Sequence, residues 1–580
     1  MNANILDRVR GWRRENFLAR LQQGDWRLWS SEPIDEVADR LGWLHLPTSM
    51  QSEVGALEEF AAQARQAGIA QVLLLGMGGS SLAPEVFQAT FGSRPGAPRV
   101  KTVDTTHPAA IELLSKDIDP KSTWVIVSSK SGTTLETASL HQYFWTLFLQ
   151  ALSHPAEHFI AITDPGTELE DVAQRRGYRA VFEAPSDVGG RFSALSYFGL
   201  VPAALIGVDT GRLLARARGV FADRGSGSGT AEATGSESEA ASVPSGFDAA
   251  LELGAMLGES AESGRDKLTL YSSPGLRAFP DWLEQLVAES SGKGGKGILP
   301  VVGERLAPPE SYGVDRCFVA LVLEEERYQE HNDQLESHLA ALESRGHPVI
   351  RRTLADPYDL GSEMMVWEVA VAAACSVLGV PPFNQPDVQL AKEMARSAMR
   401  GAATRSASVR GGSGRTSSEP EPVDASVAEP ELQELLQRVK SGDYIAILAY
   451  LQPTEELTTA LGTLQAALGQ RSGSCVTVGY GPRYLHSTGQ LHKGGAANGH
   501  FLQLIDRPEA DLKVPDSTYT FNQLIEAQAL GDLRALRSRG QDTLRIVLSD
   551  TPVDDLTGLT ASVLSVLSES SVSSVSSAWD

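Results

Sequence analysis

The sequence predicts an α/β chain of parallel sheets with helices on both faces. Three observations carry this. Short, continuously apolar runs such as "QVLLLG", "TWVIVSS" and "HFIAIT" recur from Gln71 onward. Amphipathic helical stretches separate them. The same alternation resumes after a low-complexity break. Strands apolar at every position are buried on both faces, which is the condition of a parallel sheet covered by helices.

The elements follow in order. Residues 1–65 read as a polar helical segment. In the next stretch, "QVLLLG" is a strand and "SSLAPEVFQATF" a helix; "TWVIVSS" is a strand, "TTLETASLHQYFWTLFLQAL" a helix and "HFIAIT" a strand. Arg224 to Gly246 is rich in Gly, Ser, Ala and Glu and has no aromatic residue. Such a segment cannot bury enough apolar surface to offset its ordering entropy, and it is read as a disordered insertion. "DKLTLYSS", "CFVALVL" and "PVIRRTL" are the strands of a second unit, with "GLRAFPDWLEQLVAES" a helix and a long apolar helix from about Gly361. Gly401 to Pro430 is again low in complexity. Leu432, Leu435, Leu436 and Val439 then mark a helical face. "DYIAILAYL" and "CVTVGYG" are strands, and "SVLSESSVSSVSSAWD" reads as a frayed tail.

The division is therefore 1–65, a helical N-terminal segment; 66–222, a first α/β domain; 223–247, an insertion; 248–400, a second α/β domain; 401–430, an insertion; 431–562, a C-terminal α/β part packed on the second domain; and 563–580, a tail. A length of 580 residues accommodates such a plan at roughly 150 residues per domain.

Composition excludes several classes. The formal charge of -23, from 50 basic and 73 acidic residues, argues against a nucleic-acid partner, which needs a basic face. Cys317, Cys375 and Cys475 are scattered, so neither a disulfide framework nor a cysteine zinc site is expected, and a reducing cytoplasm fits. The N-terminus has no apolar run of the secretory kind. "VAVAAACSVLGV" is too short to span a membrane and reads as a buried core helix. No membrane partner is expected.

Several stretches carry chemistry. "LLLGMGGSSLAP" is a strand, a glycine turn and a helix start, able to attract an anion. It is not a dinucleotide fingerprint, because Ser81 stands where the third glycine belongs. In "SSKSGTTLET" the hydroxyls of Ser128, Ser129, Ser131, Thr133 and Thr134 converge on a helix N-terminus. That nest suits a phosphate. The plainer reading is helix capping with Glu136 in the first turn, but capping needs one hydroxyl. "DVGGRFSALSYFGL" puts Arg191 after two glycines, where it can meet an anionic substrate or a surface carboxylate. "LVAESSGKGGKG" ends a helix on Glu289, where the dipole disfavours a carboxylate, as suits a base exchanging a carbon-bound proton. In "PPFNQPDVQLAK", Gln385 and Lys392 lie seven apart and share a helix face. Late in the chain, "LHSTGQLHKGG" is either a polar turn or a site with His486, Gln490, His492 and Lys493.

Together "GMGGSSLAP", "SSKSGTTLET", "GGRFSALSYFGL", "ESSGKGGKGILP" and "PFNQPDVQLAK" resemble the motifs of the phosphoglucose isomerase family, in that family's order, over residues 70–400. "GPRYLHSTGQLHKGG" resembles the C-terminal part of a bacterial branch in which the isomerase is fused to a transaldolase. The residues before 70 are too few for a transaldolase barrel, so that domain is not expected here.

The resemblance implies two doubly wound sugar-isomerase (SIS) domains and a homodimer. It also implies reversible interconversion of glucose 6-phosphate and fructose 6-phosphate, with no cofactor and no metal. The implied substrate is a phosphorylated hexose. Carried over by motif, Ser129, Lys130 (through its backbone), Ser131 and Thr134 hold the phosphate, with Gly79 and Ser80 nearby. Glu289 is the base and Arg191 stabilises the cis-enediol(ate). Lys392 and His486 assist ring opening, and Gln385 lines the site. Gln490 supports its loop, with His492 and Lys493 at the rim. Two departures stand out: Asn384 replaces the usual Asp, and the histidine segment follows the Gln385 helix by about a hundred residues instead of preceding it. Rival readings are a dual glucose/mannose phosphate isomerase and a non-catalytic phosphosugar sensor. The sensor need not keep Glu289.

Overall fold

The computed structural model describes residues 3–221, 246–327, 329–387, 394, 421–508 and 510–573. Its described strands form three parallel sheets. The first has the order β2-β1-β3-β4-β5, from β1 (Gln71–Leu75), β2 (Arg99–Val103), β3 (Thr123–Ser128), β4 (Phe159–Thr163) and β5 (Ala180–Glu183). The second runs β7-β6-β8-β9, from β6 (Lys267–Ser272), β7 (Leu299–Val301), β8 (Arg316–Leu323) and β9 (Val349–Leu354). The third runs β10-β14-β13-β11-β12, from β10 (Val423–Asp424), β11 (Tyr444–Tyr450), β12 (Cys475–Tyr480), β13 (Gly499–Ile505) and β14 (Asp542–Val547).

The central strands are those with unbroken apolar runs. β3 and β4 are buried at every position, as is β11. Pairing is parallel throughout, for example Leu75 beside Val127 and Val103. The chain turns in opposite directions from β1 and β3, so a crevice opens between their C-terminal ends, where α/β sheets bind ligands.

The C-terminal part is a complete parallel sheet with its own core of Ile445, Ile447, Leu461, Leu468 and Leu502. It touches both other units. Phe521 and Leu524 join the apolar cluster beneath the first sheet, while Leu491 and Tyr484 pack with Ala288, Leu299 and Val301 of the second. The N-terminal segment is less polar than its sequence suggests, since Trp12, Phe17, Leu21, Trp29 and Trp43 are all buried in the largest core.

Two expectations are corrected at the margins. Residues 421–430 of the second low-complexity stretch are ordered: β10, the short helical turn Ala425–Val427 and the start of helix Glu429–Arg438, with Ala428 fully buried. The expected tail begins inside a helix, Pro552–Ser573, and its first residue, Val563, is buried. The expected buried core helix is found: Leu360–Leu378 is almost wholly buried, and although Pro357–Leu378 is long and apolar enough to cross a membrane, 83% of its apolar window is buried inside the protein. The last two residues of the first insertion begin helix Gly246–Glu262, and the remainder of both insertions lies outside the described residues.

Candidate active site

The loops after β1, β3 and β4 meet the end of helix Phe279–Ser291 and the histidine loop around a cleft of about 480 Å³. Gly79, Ser80, Lys130, Ser131, Thr134, Glu136, Arg191, Gln285, Glu289, Gln385, His486 and Lys493 line it. A larger cavity, about 1290 Å³, lies between helix Gly246–Glu262 and β9 and holds none of the motif residues.

Two glycines permit this convergence. Gly78 has φ +56, and a Cβ there would meet Gln285 and the His486 carbonyl at 2.8 and 2.9 Å. A Cβ on Gly79 would sit 2.0 Å from the Gly190 carbonyl. The loop after β1 is thus pressed against both the arginine loop and the histidine loop.

Glu289 and Arg191 form the centre. Both are almost fully buried, and Arg191 Nη1 lies 3.2 Å from Glu289 Oε1. Gln285, one helical turn earlier, donates to Glu289 Oε2 at 2.9 Å. Arg191 also donates to the Ser290 hydroxyl at 2.9 Å, to the Asn384 carbonyl at 3.0 Å and to the Pro382 carbonyl. Burial draws Arg191 below its ordinary value, and the Glu289 charge opposes this. Lys293 donates to the carbonyls of Ser290 and Pro381, each at 2.7 Å. Burial, then the Arg191 charge, hold Lys293 well below the usual lysine range. Two buried basic side chains therefore tie the Pro381–Asn384 loop to the end of the Glu289 helix.

The anion side is the loop before helix Leu135–Ala151. Thr134 is its N-cap but makes no side-chain capping bond, so the capping reading does not describe it. Its hydroxyl instead accepts from Ser129 at 3.2 Å. Ser131 and Thr133 pair at 3.1 Å. The hydroxyls of Ser131, Thr133 and Thr134 face the cleft above an uncapped helix N-terminus, an arrangement that attracts an anion. The Lys130 ammonium turns away to Asp164 and the Ser186 carbonyl, leaving only its backbone for a ligand. Ser129 is buried and is not among the lining residues.

His486 reaches this cleft from the third sheet. Its Nε2 lies 3.0 Å from Glu136 Oε1, and Gln528 donates to the same oxygen at 2.7 Å. Glu136, an acid in the first turn of its helix, therefore also lines the cleft beside His486. Gln490 is fully buried; it donates to the Gly292 carbonyl and Asp387 and accepts from the Asp387 N–H, bracing the loop. The expectation of His492 and Lys493 at the rim is corrected. His492 is 2% exposed, bonds the Tyr444 hydroxyl at 3.0 Å, and is pushed down to about 3 by burial and by Lys493. Lys493 is buried against Asp532 at 2.5 Å, though it lines the cleft. Gln385 is exposed on the cleft wall. Lys392 lies outside the described residues. Among the described residues no group of histidine, cysteine and acidic side chains has the makings of a metal site.

Fold and cleft together define the class: an α/β protein of parallel sheets with its cleft at the C-terminal ends of β1 and β3. A family model described as phosphoglucose isomerase matches residues 53–223. The chain is 28% identical over 475 residues to the glucose-6-phosphate isomerase of Citrifermentans bemidjiense, covering 74% of this chain and 82% of the relative. It is 28% identical over 408 residues to the glucose-6-phosphate isomerase of Thermus thermophilus, covering 63% and 92%. A solved Thermus thermophilus structure, described as a hypothetical protein, superposes with a TM-score of 0.54 at 27% identity, covering 67% of this chain and 98% of that one. By these matches the chain is similar to proteins of the phosphoglucose isomerase family.

Proposed function

We propose that the protein interconverts glucose 6-phosphate and fructose 6-phosphate, and that its cleft carries every step. The observation behind this reading is the buried Glu289–Arg191 pair, which faces the same cleft as the Ser131–Thr134 loop and the His486–Glu136 pair. An aldose–ketose shift needs a base over two carbons, a cation for the developing oxygen charge and an acid to open the ring.

The phosphate sits on the hydroxyls and backbone of Ser131–Thr134, with Ser80 beside it, and its binding energy orients the sugar. His486, held by Glu136, donates a proton to the ring oxygen, and the anomeric hydroxyl gives one up to water as the ring opens. Glu289 then removes the C2 proton of the open aldose to give the cis-enediol(ate). Arg191 stabilises its negative oxygen. The O2 proton passes to O1, and Glu289, whose proton exchanges with solvent before it is returned, delivers a proton to C1, leaving the ketose. Gln285 keeps Glu289 aligned. Lys392 and Gln385 complete the set by motif. Under this proposal the enzyme is a cytoplasmic homodimer.

The test is purified protein with fructose 6-phosphate and a coupled glucose 6-phosphate readout, in EDTA. Absence of turnover by the intact chain would sink the enzyme reading and favour a sensor. Mannose 6-phosphate in the same assay separates a dual isomerase from a glucose-specific one.

A further inference from the structure

His486 follows a strand of a different sheet from the one beside Glu289 and lies much later in the chain, so something must hold the two in register. We infer that Arg483 is the positioning residue that does this: it clamps the histidine loop to the Glu289 helix and to the first domain at once. This inference rests on the isomerase reading of the cleft.

Arg483 opens the short 3-10 turn Arg483–His486. Residues three apart in such a turn eclipse one another, so Arg483 and His486 leave it on the same side. His486 goes to Glu136. Arg483 goes to three carboxylates on three separate elements. Its Nη1 lies 2.8 Å from Glu85, on the helix after the glycine turn, and 3.0 Å from Asp104, after β2. Its Nη2 lies 3.4 Å from Asp281, on the helix that ends in Glu289. On the other side of His486, the Ser487 hydroxyl donates to Glu284 of that same helix at 2.8 Å. The loop is thus gripped on both flanks of the histidine by the element that carries the base.

The carboxylates outnumber the cation. Burial pushes Asp281 up to about 6 and Glu284 up to about 7, while Arg483 opposes both. Without Arg483, Glu85, Asp104 and Asp281 lose the cation they share, and nothing in the cluster ties the loop to them. An arginine fits this place because its planar fork addresses several carboxylates in fixed directions; a lysine offers one point charge.

The experiment compares Arg483→Ala, Arg483→Lys and Asp281→Asn in the full chain, each checked by thermal melting. Arg483→Ala is expected to lower kcat by about 30-fold or more with KM within about threefold, as for a misplaced acid. Arg483→Lys and Asp281→Asn should fall between it and the wild type. Because Arg483 acts through His486, adding Arg483→Ala to His486→Ala should cost less than about threefold more. Losses that multiply would overturn the inference. A second readout needs no turnover: in histidine-labelled protein, the ring signals absent from His486→Ala should shift on Arg483→Ala while those of His500 stay. Unchanged His486 signals would overturn the clamp even if activity falls. If the intact chain does not isomerise, the isomerase reading fails and the ring signals alone decide the clamp.

Discussion

A methyl group at Gly79 is the sharpest steric probe of how the cleft is assembled. Its Cβ would lie 2.0 Å from the Gly190 carbonyl oxygen and 2.3 Å from its carbon. Contacts below 3.0 Å are essentially never made by a Cβ, so Gly79→Ala must separate the two loops by at least about 1 Å. Both partners are backbone, and no side chain can swing aside. The loops so displaced carry Ser80 and Arg191. A 1 Å misplacement of reacting groups costs on the order of 100-fold, or ~2.7 kcal/mol of barrier. The reciprocal substitution is the control. A Cβ at Gly190 meets nothing within 4 Å, and its φ is not positive. Gly190→Ala should therefore melt like the wild type. The coupled isomerase assay and a thermal melt read both variants. Gly79→Ala retaining kcat/KM within about threefold would refute the packing argument.

Three further outcomes follow from the same geometry. Glu136→Gln keeps the shape but removes the charge beside His486, and should lower kcat about 10- to 100-fold with little change in KM; an unchanged kcat removes the pair from ring opening. Glu284 is raised to about 7 by burial and by Asp281, so the folded state holds its proton more tightly than the unfolded chain. That contribution is fully present below the unfolded value of roughly 4.5 and is lost as pH rises through about 7, so Glu284→Gln should gain on the wild type by about 1–2 kcal/mol between pH 5 and 8 in urea melts. A constant difference would contradict it. His492 is lowered to about 3, so the fold excludes its proton and stability is lost as pH falls below the ordinary value near 6.5. The deficit of His492→Asn at pH 7 should therefore shrink by about 1.4 kcal/mol per pH unit on going to pH 5, and a deficit that does not shrink would show the ring protonating freely.

What the sequence disclosed depended on whether the signal was local. β3, β4 and β11 are apolar at every position and read directly as buried strands. β2 and β5 carry exposed positions and β14 is only half-buried over its first four residues, and "RVKTV", "AVFE" and "DTLRIV" give no such run. Glu289, Arg191 and the Ser131–Thr134 loop each sit in a motif beside a helix end, and all reach the cleft. Glu136 did not stand out because a first-turn acid is ordinary, and its partner is 350 residues away. His492 and Lys493 read as rim residues because polar side chains usually stay in water. Here Tyr444 and Asp532 satisfy them inside the third domain, and both come from outside the motif. The late position of His486 is explained by a third sheet that packs on the other two.

The measurement that bears most directly on the central claim is fructose 6-phosphate conversion in D2O by the wild type and Glu289→Gln. The account predicts glucose 6-phosphate carrying solvent deuterium at C2 from the wild type. It predicts that Glu289→Gln binds the sugar phosphate with similar affinity and has turnover lower by at least about 100-fold. A Glu289→Gln protein that still converts and labels the sugar at the wild-type rate would contradict it.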